Sequence, residues 1–146
     1  MPLVWRDEMS VGDPMIDGDH KTLISIINAA EKVVNESHGR RDLQEVLDRL
    51  CSYTQEHFAR EESLQRRIRY PFHEAHALEH RKLVERLVDI RSGPTRHMDA
   101  FAYEEALAQL VDLLEDWLIT HVLSHDMRMK PYIQQAKAAQ PLAKSA

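Results

Sequence analysis

Cysteine is all but missing: Cys51 is the single thiol among 146 residues. No internal disulfide can form, and no thiolate cluster is available to bind a metal. Positive charge is not in excess either. Nineteen Lys and Arg face 24 Asp and Glu, for a net charge of −5 and a pI of about 6.0, which argues against the basic stripe of a nucleic-acid binder. No apolar run approaches membrane-spanning length. The first twenty residues carry Arg6, Asp7, Glu8, Asp13, Asp17 and Asp19, so an apolar leader does not fit there and the cytoplasm is the expected compartment. Glycine and proline are scarce, at four and six residues. The length suits one domain around one core. What is abundant is histidine, at nine residues.

Because the chain breakers are few, they leave four long stretches without glycine or proline: 19–38, 40–70, 72–92 and 95–130. Each is too long for a strand and rich in good helix formers. Apolar residues recur at steps of three and four, as in Ile16, Leu23, Ile27, Ala30 and Val34, or Leu43, Leu47, Leu50, Leu64 and Ile68. The same step runs through Leu83, Leu87 and Ile90, and through Leu107, Leu110, Leu114 and Leu118. That is the period of one helix face, and no period-two run competes with it. Asp17 and Asp99 are the expected N-caps, Pro71 suits a first helical turn, and Gly93 before Pro94 reads as a stop. The pattern predicts an all-α fold: an antiparallel up-down-up-down four-helix bundle with an N-terminal arm and a short C-terminal helix or tail from Pro131.

Each of the four apolar stripes also carries histidine, and an unpaired polar group on a buried stripe is costly. His57 and Glu61 are four apart, as are His76 and His80, so each pair stacks on one helix face. His20 opens the first stripe; His121 and Asp126 close the fourth. Antiparallel topology brings all seven to one end of the bundle. A lone histidine on an apolar face is ordinarily a satisfied core residue, but five with two carboxylates at one level call for a metal, and two ions fit seven ligands better than one. Mixed nitrogen and oxygen donors without thiolate point to a pair of irons bridged by the carboxylates rather than a closed four-coordinate zinc.

The ordered set of motifs resembles the hemerythrin family in its bacterial single-domain form, from Trp5 to about Tyr132. Its markers are Ser10-Val11-Gly12, Ile16-Asp17-Gly18-Asp19-His20-Lys21, His57-Phe58-Ala59-Arg60-Glu61-Glu62, Tyr70-Pro71 with His76 and His80, and Trp117-Leu118-Ile119-Thr120-His121 leading to Asp126. The resemblance implies one hemerythrin-like domain over 1–146, with a core at about 10–133, an arm at 1–17 and a tail at 134–146. It implies two iron ions (Fe2+/Fe3+) joined by an oxo or hydroxo bridge. His76, His80 and His121 would hold one iron and His20 and His57 the other, with Glu61 and Asp126 across both. One coordination position is then left open, and dioxygen would bind there reversibly, for storage, delivery or sensing. Trp117, Leu118 and Val122 are the expected apolar wall of an oxygen pocket. No catalytic residue is implied, and no nucleic acid or membrane partner. Asp19, Leu64 and Met129 depart from the family's usual residues.

Other readings compete. A di-iron redox enzyme, or a protein handling nitric oxide or peroxide, would use the same ligands. His76-Ala77-Leu78-Glu79-His80 matches an inverted zinc-hydrolase motif, yet it leaves five of the seven polar residues unexplained, and Glu79 would point about a hundred degrees from His80. Ferritin-like di-iron sites need Glu-x-x-His pairs, and none occurs. His38 and His97 are expected on the surface, with His73 and His125 open between packing and the site. Arg66, Arg67 and Arg69 read as a solvated helix end, and Trp5 as a cover for the core.

Overall fold

The computed structural model describes residues 2–36, 40–92 and 99–140, apart from the side chains of Arg40, Ala100, Ala102 and Leu118. His38, His97, Gly93 and Pro94 therefore lie outside the described residues. Four long helices make the bundle: α1 (Pro14–Asn35), α2 (Arg40–Arg67), α3 (His73–Ser92) and α4 (Ala100–Thr120). A short helix, α5 (Lys130–Ala138), follows with Pro131 in its first turn. No strand occurs among the described residues. The helices α1 and α2 pack together, α2 packs on α3, and α1 on α4. Among the described residues, no helix is long and apolar enough to cross a membrane.

The start of α1 differs from the sequence expectation. Its N-cap is Asp13, whose carboxylate accepts from the backbone N–H of Met15 and Ile16 at 2.9 and 3.0 Å, with Pro14 at the first helical position. Both residues suit those places, since proline has no N–H to lose there. Asp17, the expected cap, is one turn inside. Its carboxylate instead accepts from Ser10 Oγ (2.6 Å) and Val11 N–H (2.9 Å), fastening the arm to the helix. Gly12 allows this reversal with φ of +87°. Further along the arm, Leu3 exchanges two hydrogen bonds with the Asn28 side chain, and Trp5 covers the core with Lys21 over its ring. Asp99 directly precedes α4 and its carbonyl accepts from Tyr103 N–H. Pro71 lies in the turn just before α3.

Among the described side chains, the predicted apolar stripes are buried or half-buried. The main core gathers Leu23, Ile27, Leu43, Leu47, Leu50, Leu87, Leu107, Leu110 and Leu114. A second apolar cluster, of Val11, Ile16, Leu64, Tyr70, Met129 and Ile133, lies under α5 at the other end. On α1, α2 and the segment after α4, the polar residues fall between members of these two clusters. The polar layer is thus flanked by apolar side chains on both sides along the bundle axis.

Candidate metal centre

All seven predicted ligands are buried and brought together. The relative exposures of His20, His57, Glu61, His76, His80, His121 and Asp126 are 5% or less. Local geometry explains most of this. The four-residue steps in α2 and α3 stack His57 on Glu61 and His76 on His80. In a regular α-helix, the five residues from His121 to Asp126 would turn the two side chains about 140° apart. The chain avoids that with a π-helical turn, His121–His125, in which the Asp126 N–H reaches back to the His121 and Val122 carbonyls. Single π turns are commonly found at functional sites.

The distances divide the group in two. Glu61 Oε1 lies 2.8 Å from His76 Nε2 and 3.1 Å from His80 Nε2, while Glu61 Oε2 lies 3.1 Å from His57 Nε2 and 3.7 Å from His20 Nε2. Asp126 repeats the pattern: Oδ1 is 3.0 Å from both His76 and His121, and Oδ2 is 3.0 Å from His20. Each carboxylate therefore offers one oxygen to a three-imidazole half and the other to a two-imidazole half. The potential ligand atoms of each half lie within 4.8 Å of one another.

The donor set fits two metal ions. Among the described residues, His20 Nε2, His76 Nε2, His121 Nε2, Glu61 Oε2 and both Asp126 oxygens are buried without a hydrogen bond of usable geometry. Buried polar atoms left so are expensive, and coordination satisfies them together. Charge pairing holds the cluster meanwhile. Burial opposes a charged ring at His20, but Asp126 and Glu61 outweigh it and push His20 up to about 10. The same balance takes His76 up to about 9. Burial would raise Glu61 and Asp126, yet the surrounding imidazoles hold both carboxyls below their ordinary range.

Sequence reasoning missed the groups behind these ligands. Asp19, which the sequence marks only as a departure from the family's usual residue, is buried and lies 3.0 Å from His57 Nδ1. Glu62 Oε2 lies 3.1 Å from His80 Nδ1. Phe58 stacks on His80 with centroids 3.7 Å apart and planes 4° from parallel. Asp19 stands three residues after Ile16 and four before Leu23, on the buried face of α1, and that spacing is the one signal for it; Glu62 is read only from its contact with α3. His73 is held by Gln65 at 2.9 Å, and that amide in turn contacts Met129 Sδ. His125 lies 5.4 Å, ring to ring, from His121, and burial followed by the neighbouring His121 and His76 lowers its pKa. Neither joins the grouped ligand atoms. Glu79 turns outward to Lys82, unlike a zinc-bound hydrolase base. Of the expected oxygen pocket, Trp117 lies beside His121 at 6.1 Å and Val122 is buried in the main core; the Leu118 side chain lies outside the described residues.

Comparison with known proteins agrees with this geometry. The model of the hemerythrin HHE cation-binding domain matches residues 11–133. A bacteriohemerythrin of Stenotrophomonas maltophilia is 32% identical over 93% of this chain and 82% of its own. One from Pseudomonas paraeruginosa is 31% identical over 85% and 76%. A crystal structure of a hemerythrin carrying a leucine-to-tyrosine substitution shares the fold, with a TM-score of 0.75 at 23% identity over 90% of this chain and 97% of that one. The chain is an all-α bundle with a buried centre suited to non-heme di-iron. It belongs to the hemerythrin family.

Proposed function

We propose that this protein binds dioxygen reversibly at two irons. His76, His80 and His121 would hold one and His20 and His57 the other, with Glu61 and Asp126 shared. The observation that carries the reading is the split of each carboxylate, one oxygen toward each imidazole group. Irons bound there supply reversible two-electron exchange with dioxygen. The side chains do the rest. The two-imidazole half has one nitrogen fewer, which leaves it room for an added ligand. Apolar clusters on both sides of the layer keep out water and its protons, which favours release of unchanged dioxygen over its reduction. Trp117, Leu118 and Val122 are proposed as part of that apolar wall, and Phe58 joins them. A donor set of five imidazoles to two carboxylates suits binding rather than turnover, so the protein is read as a carrier and not an enzyme. Its proposed setting is the cytoplasm, where the lone, buried Cys51 stays reduced.

Anaerobic loading with Fe2+, followed by titration with dioxygen, tests the reading. Near-ultraviolet and visible charge-transfer bands should rise on oxygenation and vanish when oxygen is removed, over several cycles. Oxygen consumed without recovery would favour a redox enzyme. One zinc and no iron by metal analysis would sink the di-iron reading.

A further inference from the structure

We propose that Asp19 is an anionic positioning residue for the His20–His57 half of the centre, holding His57 by its Nδ1 edge so that Nε2 is presented to metal. The proposal rests on the di-iron reading above.

Four donors converge on this one buried carboxylate. Oδ1 accepts from Tyr53 Oη at 2.8 Å and from Arg60 Nη2 at 2.9 Å. Oδ2 accepts from Arg60 Nε at 2.8 Å and lies 3.0 Å from His57 Nδ1. A carboxylate accepts only, so the His57 contact requires the proton to sit on Nδ1, which frees the Nε2 lone pair. Nε2 is the atom that faces Glu61 Oε2 at 3.1 Å. An amide at position 19 would turn its NH2 toward two of these donors. The bidentate fork of Arg60, from a side chain one-third exposed, makes a buried anion tolerable here. The other ligand of this half, His20, has no hydrogen-bond partner for its Nδ1 among the described residues, so orientation of the half falls to Asp19. In the other half Glu62 touches His80 through one oxygen only. A fixed anion behind a ligating imidazole raises its basicity and favours the oxidised metal.

Wild type, Asp19→Asn and Asp19→Ala are to be compared as full chains, metal-free and loaded with Fe2+ without oxygen. Chelator competition should show iron affinity falling ~10- to 100-fold in Asp19→Ala and less in Asp19→Asn, which keeps one acceptor. The midpoint potential should rise in both, and the gain in Tm on iron loading should shrink. If the metal-free Tm falls while affinity and potential match wild type, Asp19 is only a packing residue and the proposal is overturned. Should Asp19→Ala fail to fold, the near-isosteric Asp19→Asn decides through its potential. Failure of the wild type to take up iron would overturn the di-iron reading itself, before any variant is measured.

Discussion

His20 Nε2 and Asp126 Oδ2, contributed by the first helix and by the segment after the fourth, lie 3.0 Å apart with both side chains buried. In metal-free protein this contact is an ion pair, and its sign sets a pH dependence. His20 is pushed up to about 10 and His76 to about 9 from an ordinary 6.5. A raised pKa contributes stability that is complete below pH 6.5 and lost as pH climbs through the folded value. Glu61 and Asp126 are lowered, so their contribution is present above their ordinary 4.5 and 3.8 and lost in acid. The metal-free Tm should therefore peak between these limits and fall steadily from pH 7 to 10. Calorimetry across that range checks it, and a flat profile would refute the pairing. Loading with Fe2+ at pH 7 should expel the protons of His20 and His76, which calorimetry in buffers of different ionisation enthalpy measures.

Glu61 faces four imidazoles from one fully buried side chain. Glu61→Ala leaves charged rings without their counter-ion, and removal of one partner from a buried pair costs about 3–5 kcal/mol. Urea unfolding of the metal-free protein should show that loss, with a smaller one in Glu61→Gln, which keeps volume and one acceptor. Both variants should fail to hold two irons, by metal analysis. Full loading of Glu61→Ala would remove the shared-carboxylate assignment.

How far these residues could be read in the sequence depended on whether one helix carried the signal. His57 with Glu61 and His76 with His80 announce themselves by spacing within a single helix. The four stripes placed the core correctly for the same reason. Asp19 did not, because its partners Tyr53, His57 and Arg60 all lie on α2, and nothing in α1 points to them. Asp126 follows His121 by five residues, a spacing no regular helix face predicts, and a π turn supplies the geometry. The N-cap of α1 was misjudged since Asp13 and Asp17 are both plausible acids before a stripe. What separates them is Ser10, which engages Asp17 from the arm.

The end of α2 offers a test of backbone strain. Arg69 sits in the left-handed region at φ 55°. Tyr70 N–H bonds Gln65 O and Arg69 N–H bonds Arg66 O, the paired bonds of a Schellman ending. That position favours glycine, since a side chain there costs roughly 1–2 kcal/mol. Arg69→Gly should raise stability by about 0.5–1 kcal/mol once the added freedom of the unfolded chain is subtracted. Denaturant midpoints of the metal-free proteins measure it, and a loss of stability would mean that the arginine side chain makes up for its strain.

Phe58 packs against three of the five imidazoles, stacked on His80 at 3.7 Å and tilted against His57 and His121 at 5.6 and 5.7 Å. It also meets Trp117 edge-on at 6.0 Å. The ring fills the core beside the polar layer, and together with His80 it lines the groove bounded by Gln55, Glu62, Arg66 and Arg81, so its loss would widen the way from that groove to the layer. Phe58→Ala should cost about 3–5 kcal/mol in denaturant unfolding, the usual range for a buried ring. It should also speed oxidation of the reduced centre in air, because protons gain access. Phe58→Leu keeps most of the seal and should give a smaller change in both. Stability loss in Phe58→Ala with an unchanged oxidation rate would leave the ring as packing alone, and the exclusion of water would then have to come from the apolar clusters above and below.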